Sequence, residues 1–456
     1  MKRRLLVILR GAVMMAGLMA TAAWGKEMLI KSQITEHTLK NGLKIVVQLD
    51  KRAPIASVQV WYKVGSANEV RGRTGISHAL EHMMFRGTPK YPNDSYSEII
   101  AKNGGRDNAF TTQDFTAYYA NVEKSKVALC LELEADRMQH LTLDPALYQL
   151  EMKAVREERR LRTDDSPKGV TFERFLAAAH TNGPYHHPVI GWMDDLYSFS
   201  DKDLRYWYEQ YYVPNNATII VIGDVEPKQI FELAQKYFGD IPQKALPKAL
   251  PGQDIPALGE KRLKVEYVAE LPYLIMGFQV PSMITAKNAF EPYALAVLAH
   301  ALDGGESARL PKYLIREQEI CASCYAHYDF LQRYDTQFIL RGTPSEAHSV
   351  AELEQAILAE LSKLKAKKLD NQELARIKMQ LTAEEIYSKD AITDQAELLG
   401  TFESIGSNWL TSQALIEHIQ AVTAEQVQEV AQKYLIASRL TVAELVPLKQ
   451  DKYAKK

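Results

Sequence analysis

The chain has 456 residues, 46% of them hydrophobic and 25% charged, with a formal net charge of -2 at pH 7. That length exceeds one usual core and implies two domains, while the lack of a basic excess excludes nucleic acid as a partner. Cys130, Cys321 and Cys324 are too few, and odd in number, for a disulfide scaffold.

Met1-Lys2-Arg3-Arg4 and the apolar stretch from Leu5 to Ala23 read as a secretory signal over residues 1–25, with Ala23-Trp24-Gly25 as the cleavage end. Arg10 interrupts the run, and a spanning helix needs about 20 apolar residues without a break. An uncleaved membrane anchor is therefore the weaker alternative. Removing Lys2, Arg3, Arg4 and Arg10 takes the charge from -2 to -2 - 4 = -6. No later segment is apolar enough to span, so the mature chain is expected to be soluble and exported, with the periplasm as its location.

Glu36 to Leu49 reads as a hairpin turning at Asn41-Gly42. Ile55 to Val64 alternates as a strand, with Val58, Val60 and Tyr62 on one face. A helix over about 75–87 follows, Gly75-Ile-Ser-His78-Ala-Leu-Glu81-His82-Met-Met-Phe85. His78 and His82 are four apart and Glu81 is three after His78, so all three share one helical face. Two imidazoles and a carboxylate there make a divalent-metal site with a base beside it, and zinc is the default ion. His-x-x-Glu-His reverses the commoner His-Glu-x-x-His and is the inverzincin signature. The bland alternative is a helix with two unrelated histidines. Against it stand Leu80, Met83, Met84 and Phe85, which bury the helix and make unpaired polar groups costly.

A helix at 95–103 ends at Asn103-Gly104-Gly105. Arg106 to Thr112, a strand over 115–120 and helices at about 123–141 and 145–162 come next. The last helix carries an apolar stripe of Leu147, Leu150, Ala154, Val155 and Leu161, on which Glu151 and Glu158 also lie, seven apart. Glu157 is rotated onto the solvated face with Arg156 and Arg160. Carboxylates on an apolar stripe need a partner: either the ion held by His78 and His82 or nearby arginines. His186 and His187, in a Gly/Pro-rich turn, are expected to hydrogen-bond rather than ligate a metal.

Residues 241–261, rich in Pro, Ala, Gln and Lys, read as an exposed linker. The order of elements repeats across it: strands, an apolar helix, a pair of helices, a late strand and a closing helix. In the second half the strands are Arg262–Val268 and Tyr273–Val280. Tyr293 to Leu302 takes the place of the metal helix without its motif, and His300 there reads as a core histidine. Cys321-Ala-Ser-Cys324 has redox-pair spacing, but Ile320 to Tyr328 reads as a strand, where positions three apart face opposite ways. Two separate cysteines are expected.

These motifs together resemble the pitrilysin family of zinc metallopeptidases, which includes bacterial processing proteases, the mitochondrial processing peptidase and insulin-degrading enzyme. The resemblance covers His78-Ala-Leu-Glu81-His82, Glu151 and Glu158, Gly104-Gly105 with Asn108-Ala109-Phe110-Thr111, and Asp164-Asp165-Ser166-Pro167. It continues through Tyr185-His186-His187-Pro188 and Tyr212-Val213-Pro214-Asn215-Asn216 to Val221-Ile222-Gly223-Asp224-Val225, in family order. It implies an α+β chain of two similar α/β sandwich domains, half of a clam-like chamber. A zinc-bearing domain would span 26–240, with a second domain of the same fold and no metal at 262–456. By the match, one zinc per chain would be held by His78, His82 and Glu158. Glu81 would be the general base and Glu151 would orient a ligand. Asn108, Ala109 and Phe110 would take up an extended peptide on an edge strand, with Arg316 contributing from the second half.

The function implied is an exported zinc endopeptidase acting on peptides or unfolded segments. The alternatives are a non-catalytic scaffold or binding subunit of a related complex, and a structural zinc protein. Family members that bind substrate through the second half carry an arginine and then a tyrosine six or seven residues on. Here Arg316 is followed by Ala322 and Ser323 at those places, and Tyr325 comes late. A dimer is therefore expected, with a sister chain lacking the zinc motif as the candidate partner.

Overall fold

The computed structural model describes residues 33–449 apart from 249–251, 253, 256 and 257. The signal segment expected at 1–25 lies outside the described residues. Six strands, β1 (Ile34–Thr38), β2 (Lys44–Leu49), β3 (Ile55–Tyr62), β4 (Arg106–Thr111), β5 (Thr116–Glu123) and β6 (Ala217–Gly223), form a sheet ordered β1-β2-β6-β3-β5-β4. Five more, β7 (Lys261–Val268), β8 (Tyr273–Val280), β9 (Cys321–Tyr328), β10 (Thr336–Pro344) and β11 (Leu440–Leu448), form a second sheet ordered β7-β11-β8-β10-β9. Each sheet has one parallel pair, β2 with β6 and β7 with β11, and is otherwise antiparallel. The second sheet thus repeats the first strand for strand, with β1 as the first half's addition.

The first half carries helices α1 (Ile76–Met83), α2 (Ser95–Lys102), α3 (Val127–His140), α4 (Pro145–Arg159), α5 (Pro167–Ala179), α6 (Met193–Ser198), α7 (Asp201–Tyr211) and α8 (Pro227–Phe238). The second carries α9 (Glu291–Asp303), α10 (Val350–Ala366), α11 (Asn371–Tyr387), α12 (Ile392–Ile405), α13 (Trp409–Gln413), α14 (Leu415–Ala421) and α15 (Ala424–Tyr434). No helix among the described residues is long and apolar enough to cross a membrane.

β6 is buried along its whole length and apolar except at Thr218, as expected of a central strand covered on both faces. Ile219 and Val221 join the core under the first half's own helices, while Ile220 and Ile222 pack with Trp61 against Ala396 and Leu399 of α12. The exchange is reciprocal. Phe175 and Ala179 of α5 pack on Tyr273, Ile275, Ala443 and Leu445 of the second sheet. Two glycines permit the close approach. A Cβ on Gly400 would stand 2.0 Å from the Trp61 ring, and one on Gly277 would stand 2.3 Å from Phe175.

Three expectations are corrected. On α4 the inward face is Tyr148, Glu151, Met152, Val155 and Arg159. Leu150 and Leu161, placed on the stripe from sequence, are 56% and 72% exposed, and Ala154 is also exposed. Arg159 can lie inward because Glu173 and the Gly191 carbonyl receive its guanidinium. Second, Cys321 and Cys324 form a disulfide, with Cα atoms 6.4 Å apart. In β9, Ser323 pairs with Thr343 but Cys321 pairs with Pro344, so Ala322 is an extra residue. The bulge turns a three-residue separation into a same-face pair. Third, the closing helix belongs to the first half alone: α8 follows β6, whereas α15 precedes β11 and no helix follows β11 among the described residues.

Candidate metal centre

α1 is placed by its N-terminus. Gly75 sits at φ +87°, and its backbone N–H and that of Ser77 donate to the Glu69 carboxylate at 2.7 and 2.9 Å. An acceptor there satisfies the free amides of a first helical turn. His187 backs this carboxylate, with Nε2 2.9 Å from the Ser66 carbonyl and 3.4 Å from Glu69, while His186 Nδ1 meets the Gly183 carbonyl at 2.8 Å. Both histidines are structural, as read from sequence. Ile76, Ala79, Leu80 and Met83 anchor the other face of α1 in the core, which turns His78, Glu81 and His82 toward α4 and β4.

α4 begins with Asp144 accepting the amides of Ala146 and Leu147, and Pro145 in the first turn. It lies beside α1 and presents Glu158 to both imidazoles: His78 Nε2 is 3.6 Å and His82 Nε2 3.5 Å from the same carboxylate oxygen. The three ligand atoms lie within 4.8 Å of one another. Ligands about 2.0–2.2 Å from a tetrahedral zinc stand about 3.3–3.6 Å apart, so the separations from Glu158 fit such an ion. Glu157 stays exposed and pairs with Arg160.

Glu151 lies 3.2 Å from His82 Nδ1 and 2.6 Å from Arg86 Nη2. Burial acts to raise its pKa, but these two partners outweigh that and hold it below the usual range. A carboxylate kept ionised can only accept, so His82 Nδ1 donates to it, which leaves Nε2 as the nitrogen that faces Glu158. Without an ion the two histidines differ sharply. Burial, reinforced by the charge of His82, pushes His78 down to about 4. Burial also opposes charge on His82, but Glu151 and Glu158 overcome it and raise its pKa to about 9. The His82 hydrogen bond, against burial, lowers Glu158. Glu158 also meets Arg162 at 3.0 Å, so both glutamates have an arginine as well as a histidine.

Glu81 faces the same space without joining the cluster. Burial raises its pKa, opposed by a 2.6 Å hydrogen bond from Thr111 Oγ1. Thr111 ends β4, the outermost strand, whose other edge has no partner among the described residues. Asp107, Ala109 and Thr111 face the helices, with Asp107 accepting from Ser97 at 2.6 Å. Asn108 and Phe110 face the other way, Phe110 against Trp61 and Phe115. The expected peptide-binding residues therefore lie on an open edge beside Glu81. Arg316 lies elsewhere, on a π-helical turn (Leu310–Glu317), where the carbonyl and carboxylate of Glu306 engage it. Sequence reading did not assign Thr111, Arg86 or Glu69. Arg86 could have been found, four residues after His82; Glu69 gives no local signal.

Residues 44–191 match the family described as insulinase (peptidase family M16), and residues 198–381 match the peptidase M16 inactive domain. The chain is 33% identical over 387 residues to the zinc protease PqqE of Helicobacter pylori, covering 83% of this chain and 86% of that protein. It is 27% identical over 400 residues to the zinc protease YmxG of Bacillus subtilis, covering 88% and 95%. A crystal structure of a protease from Helicobacter pylori superposes with a TM-score of 0.86 at 30% identity, covering 91% of this chain and all of that one. The periplasmic protease PqqL of Escherichia coli superposes with a TM-score of 0.73 at 18% identity, and this chain, 93% covered, spans 50% of its length. The chain belongs to the M16, or pitrilysin, family of zinc metallopeptidases.

Proposed function

We propose that the chain is an exported zinc endopeptidase that cleaves extended peptides or unfolded protein segments. The observation that carries this reading is the convergence of His78 and His82 from α1 with Glu158 from α4, beside a half-buried Glu81 outside that cluster. One zinc per chain would be held by those three side chains. Bound there, it supplies a Lewis acid that acidifies water from a pKa of about 15.7 toward about 7 and polarises a carbonyl. The chain's residues do the rest. Glu81, its pKa raised, takes the proton from the attacking water and returns it to the leaving amine. Glu151 holds His82 through Nδ1 and is itself held by Arg86. The substrate adds as a strand along Asn108, Ala109 and Phe110, bound by main-chain hydrogen bonds and so read largely without regard to sequence.

Residues 26–240 form the zinc-bearing domain in this reading, and 262–456 the metal-free one. The Cys321–Cys324 disulfide suits an oxidising compartment such as the periplasm. A protein of the same fold and twice the length supports a working unit of two such chains, the second being a sister chain without the zinc motif that supplies the absent tyrosine. The test of the chemistry is Glu81→Gln. It retains zinc, because Glu81 is not a ligand, while peptide turnover falls by about 100-fold or more. Loss of zinc equal to that of His78→Ala would show the roles to be misassigned.

A further inference from the structure

The internal repeat places a second histidine–glutamate pair where the first half has its cluster. His82 lies five residues before Gly87 (φ +91°), and His300 lies five before Gly305 (φ +86°). Glu158 lies fourteen residues after Asp144, the capping residue of α4, and Glu384 lies fourteen after Asp370, the capping residue of α11. α9 packs beside α11 as α1 packs beside α4. On this register Leu80, Met83 and Met84 correspond to Leu298, Ala301 and Leu302, all buried, and His82 and His300 are both partly exposed. Ala296 then stands for His78, Ala299 for Glu81 and Ile377 for Glu151.

The retained pair keeps its separation, although the Glu384 side chain is 63% exposed and that of Glu158 21%. His300 Nε2 is 3.3 Å from Glu384 Oε1, against 3.5 Å between His82 Nε2 and Glu158. His300 Nε2 is buried, and Glu384 is the carboxylate that faces it. Its distance from Glu384 matches the edge of about 3.3 Å expected for two ligands of a tetrahedral ion.

We propose that His300 and Glu384 are a two-ligand remnant of the metal site, which takes a divalent transition metal weakly. A single histidine at position 296, one turn before His300, is all it lacks to hold zinc firmly. The proposal rests on reading the His78–His82–Glu158 cluster as a metal site, since that cluster supplies the template. It implies that the second half lost its base and one ligand but kept the frame.

The test is metal content by elemental analysis of the full chain after gel filtration, together with Co2+ titration followed by visible absorption. Wild type is expected to retain about one zinc and Ala296→His about two. In a His82→Ala background the retained zinc is expected to be none, rising to about one with Ala296→His and returning to none when Glu384→Gln is added. A weak Co2+ class in a His78→Ala, His82→Ala chain is expected to vanish with His300→Ala. The proposal is overturned if the folded Ala296→His chain gains no metal, if the gained metal survives Glu384→Gln, or if the weak class survives His300→Ala. Ala296→Asp tests the same position should Ala296→His fail to fold, and the His300→Ala comparison needs neither. Wild type without zinc, alongside a His82→Ala, Ala296→His chain that holds it, would sink the reading of the first half and leave this one standing.

Discussion

Glu81, the proposed base, accepts a 2.6 Å hydrogen bond from Thr111 Oγ1. Thr111 also ends the strand proposed to receive substrate, so the base and the peptide are referred to the same strand. A hydrogen bond to a charged group contributes about 1.5–3 kcal/mol, and each 1.4 kcal/mol is tenfold in rate. Thr111→Ala should therefore lower kcat by about 10- to 100-fold with little change in KM or zinc content, and Thr111→Ser should restore most of it. An unchanged kcat in Thr111→Ala would remove this role. At this scale the sequence was most informative where spacing encodes geometry: His78, Glu81 and His82 share a face because a helix repeats every 3.6 residues. It was least informative for Glu69 and Thr111, whose roles arise from contacts across separate elements.

Strand and helix positions were largely legible, because apolar periodicity carries them. The errors came from what covers each face. Leu150, Ala154 and Leu161 are apolar and helically spaced, yet α4 turns Tyr148, Met152, Val155 and Arg159 inward; only the tertiary partners of Arg159 permit that choice. The β9 bulge likewise reversed the geometry of Cys321 and Cys324, since an extra residue changes the face of a strand. The cross-packing of α5 and α12 on the other half's sheet has no local signal at all. It predicts that Gly400→Ala, although better for a helix by about 1 kcal/mol, is destabilising, because its Cβ would meet the Trp61 ring. A cost of about 1–3 kcal/mol from overpacking should appear as a lower thermal midpoint, partly recovered by Trp61→Leu. A midpoint raised by Gly400→Ala would show that α12 is free to shift.

The whole molecule is a repeat in which two sheets share one strand order and each half covers the other's sheet with a helix. Such interlocking predicts that the zinc is not what holds the chain together. Chelation should abolish cleavage while leaving circular dichroism unchanged; unfolding on chelation would instead favour a structural ion. The proposed working unit of two chains predicts that the protein purifies as a particle larger than one full chain of 51.6 kDa. Full peptidase activity in a single chain would contradict that. The central claim is that His78, His82 and Glu158 hold one zinc, and zinc content per chain across ligand variants tests it most directly. Wild type and Glu157→Gln should carry about one zinc, and His78→Ala, His82→Ala and Glu158→Gln essentially none. A full complement of zinc in Glu158→Gln, or none in wild type, would contradict it.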